Sequence, residues 1–221
     1  RPWAVVCDFD GTAILGDIAD ALAIRYLGED RFREVNESFE RGEITFRRLL
    51  HELFEPIAAT SDETRAFARA HAQFRPGFVR LLTVARDRDI PFTLASGGLD
   101  TYIRPVLELL PPLLVDAVEL RANHAEHRDG EGLTINFPSA DNPDSCGSCG
   151  SCKGAIVRDL QRTGRRVVAI GDGHADRCMA GVADVLFARD RLRVWCLQER
   201  IAHVPFESLD IVADFLEEQF T

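Results

Sequence analysis

Short apolar runs that stop at polar residues or glycine punctuate this chain. Trp3-Ala4-Val5-Val6-Cys7 runs into Asp8 and then Gly11-Thr12. Comparable runs cover 90–95, 167–170 and 185–188, the first two ending at Ser96 and Gly171. Their length and sharp ends predict buried strands whose carboxyl ends release into turns. Segments with helical spacing separate most of them, at 77–86, 102–110, 153–162 and 175–183. Strands alternating with helices predict an α/β fold, a Rossmann-like core with a mostly parallel sheet covered on both faces. Sites in such sheets gather outside the carboxyl ends of the strands.

Residues 17–75 break the alternation. Four helix-like stretches, near 17–27, 30–40, 45–54 and 62–74, follow one another without a convincing strand. Phe46, Leu49, Leu50, Leu53 and Phe54 recur at helical spacing. Ser61-Asp62-Glu63-Thr64 offers an N-cap at the start of the last stretch. The expected organisation is a core of 1–16 and 76–221 with a helical insert at 17–75. Alternation at Val118 and Leu120, and at Leu133, Ile135 and Phe137, flanks Asp129-Gly130 and predicts a β-hairpin at 116–137 appended to the core. The segment 145–154 stands apart, rich in Gly, Ser and Cys.

Composition narrows the function. The 221 residues are 46% hydrophobic and 28% charged with a net charge of -10, so no basic stripe speaks for nucleic acid. Apolar runs of five or six residues fall far short of the roughly 20 that span a bilayer, so no membrane partner is expected. The chain enters its first strand-like run at once, which gives no sign of a signal or transit peptide. Six cysteines are too few for a disulfide scaffold, and a reduced, cytoplasmic protein is expected. Of the 26 basic residues, 25 are arginine, and Lys153 alone is lysine. Coding bias toward arginine is the plain cause of that ratio, and it leaves the question why one position keeps an ammonium, since the two are interchangeable on a solvated surface but not where a compact ammonium must sit.

Asp8 and Asp10 lie two apart at a strand end, so both carboxylates can face one pocket. They repel unless a proton or cation intervenes, and Mg²⁺ supplies one while leaving coordination positions for phosphate. One Asp could then attack phosphorus while the other moves protons; the plain alternative is an Asp-Gly turn. Ser96-Gly97-Gly98 offers a hydroxyl and amides as a phosphate cradle, or an ordinary loop. Asp172 and Asp176, four apart in Gly171-Asp172-Gly173-His174-Ala175-Asp176, can complete a metal shell, or one of them can cap a helix. Lys153 opens a helix where its three donors can reach a phosphoryl oxygen and a carboxylate.

In this order, DFDGT at 8–12, Ser96, Lys153 and Asp172 with Asp176 resemble the haloacid dehalogenase superfamily over nearly the whole chain, with the 17–75 insert like its first type of cap domain. Ser96-Gly97-Gly98-Leu99-Asp100, Ala122-Asn123-His124-Ala125, Cys152-Lys153 and Phe187-Ala188-Arg189-Asp190 resemble one branch more closely. That branch is the 2-hydroxy-3-keto-5-methylthiopentenyl-1-phosphate phosphatases, near the phosphoserine phosphatases of subfamily IB. The resemblance implies that Asp8 is a nucleophile forming an aspartyl-phosphate and that Asp10 is the acid and base. Ser96 and Lys153 would hold the phosphoryl group, with Gly97 and Gly98 beside the substrate. Asp8, the carbonyl of Asp10 and Asp172 would bind Mg²⁺, with Asp176 supporting that shell. Phosphoserine enzymes carry a cap Glu where Asp17 stands and an Arg where this chain has His51, Glu52 and Leu53, which disfavours phosphoserine. Asp17, Arg47 and Arg48 are the expected cap-side contacts.

Cys146, Cys149 and Cys152 form C-x₂-C-x₂-C, a spacing that suits a structural Zn²⁺ with a fourth ligand from His124, His127 or Cys178. Free thiols in a flexible loop, or a disulfide, are the alternatives. His174 contacts substrate or points to solvent, with solvent favoured. The expected activity is Mg²⁺-dependent hydrolysis of a small phosphorylated metabolite by a monomer or homodimer. The alternatives are a phosphotransferase or mutase on the same motifs, and a non-catalytic phosphate-binding module.

Overall fold

The computed structural model describes residues 1–128, 130–147 and 149–220. Among the described residues seven strands form one sheet: β1 (Trp3–Cys7), β2 (Phe92–Leu99), β3 (Val118–Arg128), β4 (Gly132–Asn136), β5 (Arg166–Gly171), β6 (Val185–Ala188) and β7 (Val204–Pro205), in the order β4-β3-β2-β1-β5-β6-β7. All neighbours pair in parallel except β3 with β4. Every residue of β1 is buried. Trp3, Val5 and Cys7 join one apolar cluster and Val6 the other, as alternation across a doubly covered strand requires.

Among the described residues four helices fill the 17–75 insert after β1: α1 (Ile18–Leu27), α2 (Glu29–Glu40), α3 (Phe46–Phe54) and α4 (Ser61–His71). Thr60 caps α4 in a full capping box with Glu63, one residue before the expected cap at Ser61. Helix α3 buries Leu49, Leu50, Leu53 and Phe54, the stripe its spacing predicts. Then come α5 (Phe78–Asp87), α6 (Asp100–Leu107), α7 (Pro112–Val115), α8 (Lys153–Arg162), α9 (Arg177–Ala180), α10 (Asp190–Glu199) and α11 (Asp210–Glu218).

Three expectations need correction. Strand β2 does not stop at Ser96 but runs through Gly97 and Gly98 to Leu99, which pairs with Asn123 after an irregularity. The 116–137 unit is no appendage, because Val118 to Arg121 pair in parallel with Phe92 to Ala95 and carry the main sheet outward. The antiparallel pairing follows from His124 onward; Asp129 of the expected turn lies outside the described residues. The expected helix at 175–183 is a single 3₁₀ turn, His174–Asp176, followed by the short α9.

None of the described helices is long and apolar enough to cross a membrane. The sheet order reverses around β1, whose neighbours β2 and β5 come from later, opposite excursions of the chain. The crevice at that switch point lies between the ends carrying Asp8, Ser96 and Asp172.

Candidate active site

The backbone leaves β1 in a wide turn in which the amides of Ala13 and Ile14 return to the carbonyls of Asp8 and Phe9 at 3.2 and 3.1 Å. Gly11 takes φ +73°, and a Cβ there would stand 2.4 Å from Asp172 Oδ2. Glycine therefore permits both the left-handed turn and the close approach of β1 to the β5 loop. Thr12 Oγ1 donates to Asp172 Oδ1 at 2.7 Å across that approach. Behind the turn Arg75 is buried, donating to the carbonyls of Thr12 (2.7 Å), Gly11 (2.6 Å) and Glu207 (3.1 Å).

Lys153 begins α8 with only 2% of its side chain exposed, and its Nζ lies 2.5 Å from both Asp8 Oδ1 and Asp176 Oδ1. Burial would depress its pKa, but the carboxylates of Asp176 and Asp8 outweigh that and hold it above the usual lysine value. Asp176 is fully engaged in holding others: its Oδ2 accepts the amides of Asp172 and Gly173, each at 2.9 Å. It supports the acidic loop and the ammonium.

Burial, then the charge of Asp176, pushes Asp8 well above the ordinary carboxylate range against the pull of Lys153. The same two causes raise Asp172. Carboxylate oxygens of Asp8, Asp172 and Asp176 all lie within 4.8 Å of one another. Three carboxylates answered by one ammonium leave surplus negative charge in a buried, oxygen-only donor set, which is the demand a hard divalent cation meets. The residues fit Mg²⁺.

Asp10 faces the same crevice. Ile18 N donates to its Oδ1 at 2.9 Å, and the buried Tyr102 hydroxyl donates to its Oδ2 at 2.8 Å. Burial, then Asp17, raises the Asp10 pKa, while the Tyr102 and Ile18 donors oppose the rise. Gly98 makes the Tyr102 contact possible, since a Cβ there would overlap the phenolic oxygen at 1.7 Å. Ser96 is buried and accepts Gly98 N at 2.9 Å. Gly97 is held from behind by Asn123 Nδ2, which donates to its carbonyl at 2.7 Å.

These groups line a cavity of about 530 Å³. Its floor is acidic and cationic, from Asp8, Asp10, Lys153 and Asp172. Its far wall is apolar: Phe39 of α2 and Phe46, Leu49, Leu50, Leu53 and Phe54 of α3. Arg177, Arg191 and Asn36 edge it. His174 lies exposed at its rim, edge-on to Phe39 at 5.8 Å.

The structure thus brings Asp8, Asp10, Ser96, Gly97, Gly98, Lys153, Asp172 and Asp176 together, with Asp17 at the cavity. The two arginines expected beside substrate turn elsewhere. Arg48 is exposed and pairs with Glu52 one helical turn on, at 2.8 Å. Arg47 points to the cysteine loop, donating to the Cys149 carbonyl at 3.4 Å. His124, the zinc ligand expected from the hairpin, is committed to Asp100 at 2.8 Å and reaches Glu126 at 3.3 Å. Arg75 and Tyr102 had no place among the sequence candidates. The Gly98 that admits Tyr102 was the one available signal.

Comparison with known proteins gives a consistent picture. Residues 5–181 match the family model of the haloacid dehalogenase-like hydrolases. A 2-hydroxy-3-keto-5-methylthiopentenyl-1-phosphate phosphatase of Exiguobacterium sibiricum is 30% identical, covering 96% of this chain and 95% of its own. The protein of that name from Bacillus velezensis is 28% identical over 98% and 91%. Among solved structures, a phosphoserine phosphatase with a phospho-aspartyl intermediate analogue superposes with TM-score 0.69 at 18% identity, covering 97% and 98% of the two chains. That likeness is one of fold.

Proposed function

The chain belongs to the haloacid dehalogenase-like hydrolase family, and on that premise we propose that it is a Mg²⁺-dependent phosphomonoester hydrolase acting on a small phosphorylated metabolite. The observation that carries the proposal is Lys153 Nζ held at 2.5 Å from Asp8 and from Asp176 on the floor of the cavity. A buried ammonium between two carboxylates favours the ionised form of Asp8 against burial and orients it.

Asp8 attacks phosphorus with the oxygen that Lys153 does not hold. The ester P–O bond breaks, and the departing oxygen takes a proton from Asp10, whose raised pKa keeps that proton available. The Asp10 carboxylate then takes a proton from water. The water oxygen attacks the phospho-Asp8 phosphorus, and the acyl phosphate bond breaks to return Asp8 and inorganic phosphate. Ser96 and Lys153 steady the phosphoryl oxygens throughout. Mg²⁺, held by Asp8 and Asp172 and, as the family resemblance implies, the Asp10 carbonyl, would supply Lewis-acid charge at the phosphoryl group.

Residues 17–75 act as a cap that excludes water and sets substrate choice. Their apolar wall calls for a substrate with a phosphate at one end and an apolar tail at the other. The 2-hydroxy-3-keto-5-methylthiopentenyl 1-phosphate in the relatives' names has that division. With Arg47 and Arg48 engaged elsewhere, no cap guanidinium on α3 is left to clamp an amino-acid carboxylate, which speaks against phosphoserine. The thiol-rich loop suits a reducing, cytoplasmic setting.

The test is turnover of p-nitrophenyl phosphate and a phosphometabolite panel, with and without EDTA, beside Asp8→Asn. Activity should vanish in both treatments and favour apolar-tailed phosphomonoesters. Activity that survives both refutes the mechanism, and transfer of phosphate to a second metabolite in place of water points to a phosphotransferase.

A further inference from the structure

Four thiols meet beside the catalytic floor, and the reaction uses none of them. Cys146 Sγ lies 3.1 Å from Cys149 Sγ, and Cys152 Sγ lies 3.9 Å from Cys178 Sγ. The Cys146 amide donates to Cys152 Sγ at 3.4 Å, which sets the two pairs side by side. Cys178 comes from α9, 26 residues beyond Cys152, and is brought in by the fold.

We propose that Cys146, Cys149, Cys152 and Cys178 form a structural Zn²⁺ site. A tetrahedral zinc with Zn–S near 2.3 Å sets its sulfurs about 3.8 Å apart. The Cys152–Cys178 separation already matches that edge. The Cys146–Cys149 pair is much longer than a disulfide bond of about 2.05 Å and needs to open by only about 0.7 Å.

Backbone donors already point at the sulfurs: Cys146 N at Cys152 Sγ and Gly154 N at Cys178 Sγ, each at 3.4 Å. Such N–H···S contacts stabilise thiolate ligands as outer-sphere hydrogen bonds do at other metal sites. Gly154 has no side chain because a Cβ would lie 2.6 Å from the Cys178 carbonyl oxygen. Arg47, reaching the Cys149 carbonyl, brings a cation toward a cluster that would carry a net negative charge. Among the described residues its Nε has no partner.

The site has a structural consequence. Cys152 directly precedes Lys153, and Cys178 lies two residues beyond Asp176. A metal joining them clamps together the two segments that supply the Lys153–Asp176 ion pair. The assignment is independent of the proposed reaction, because metal binding is read without turnover.

Purified without chelator and with reductant, the wild-type chain should contain about one zinc per molecule by elemental analysis. Stripped and titrated with Co²⁺, it should develop the intense near-ultraviolet thiolate-to-metal bands and the visible bands of a tetrahedral tetrathiolate, and Zn²⁺ should bleach them. Cys178→Ser should weaken the bands, while Cys196→Ser and His124→Ala leave them intact. Removing zinc should speed amide exchange across 149–154. Failure of the reduced wild-type protein to take up either metal, iron in place of zinc, or cobalt bands unaltered in Cys178→Ser would each overturn the assignment. So would thiol counting that finds the four locked as disulfides under the reducing conditions of the titration.

Discussion

Lys153 is buried with its ammonium 2.5 Å from two carboxylates, a geometry that suits a compact point charge and not the larger planar guanidinium fork. Lys153→Arg should therefore lower kcat by about 10²–10³, the usual cost of losing a preorganised donor, although charge is conserved. A kcat within a fewfold of wild type would contradict this. Tyr102 donates to Asp10 and so holds its pKa below where burial alone would put it. In Tyr102→Phe that donor is gone and Asp10 binds its proton more tightly. The alkaline limb of the kcat/KM–pH profile, set by Asp10 as the acid of the first step, should move to higher pH, with a stability loss of about 1 kcal/mol; an unmoved limb would sink the assignment. Asp8, Asp10 and Lys153 were legible in the sequence because their chemistry is local: paired acids at a strand end, and one ammonium among guanidiniums. Tyr102 was not, because its role depends on a glycine four residues earlier letting two elements touch.

The turn after β1 is the element on which the site depends, and Arg75 fastens it from a distance of more than sixty residues in sequence. Arg75→Ala leaves carbonyls of Gly11, Thr12 and Glu207 without their donor. Urea unfolding should register a loss of about 3 kcal/mol, most of it from unsatisfied buried acceptors. A loss under about 1 kcal/mol would mean that water replaces the guanidinium readily. No motif announces such a residue, since a buried arginine among 25 looks like any other until the fold surrounds it. The helices of 17–75 were legible from apolar spacing, and the strands from short runs with sharp ends. The β2 ending was misread because Ser-Gly-Gly chemistry signals a loop, whereas pairing of Leu99 with Asn123 keeps it extended. The 116–137 segment was read as an appendage because alternation gives a strand's faces but not which neighbour pairs along its edge.

At the scale of the whole molecule, the four motifs converge because a parallel sheet delivers every strand's carboxyl end to one edge. The alternation of elements made that much readable, while α10, β7 and α11 were not predicted, although α11 carries an apolar stripe of Val212, Ala213 and Leu216. Convergence concentrates negative charge, and stability should respond. Asp8, Asp10 and Asp172 have folded-state pKa values above their unfolded ones, so the metal-free fold binds extra protons in the range above about pH 4. By linkage its stability is fully present at acid pH and declines as pH rises through the elevated values. Mg²⁺ replaces those protons, so it should raise Tm more at pH 8 than at pH 5. An equal shift at both, or a larger one at pH 5, would contradict the electrostatic account.

The most direct test is acid-quenched turnover followed by peptide mass mapping. A substrate that is hydrolysed should leave a phosphoryl group, labile to hydroxylamine, on the peptide containing Asp8, and Asp8→Asn should abolish both the label and turnover. Label on another residue, or undiminished turnover in Asp8→Asn, would contradict the account.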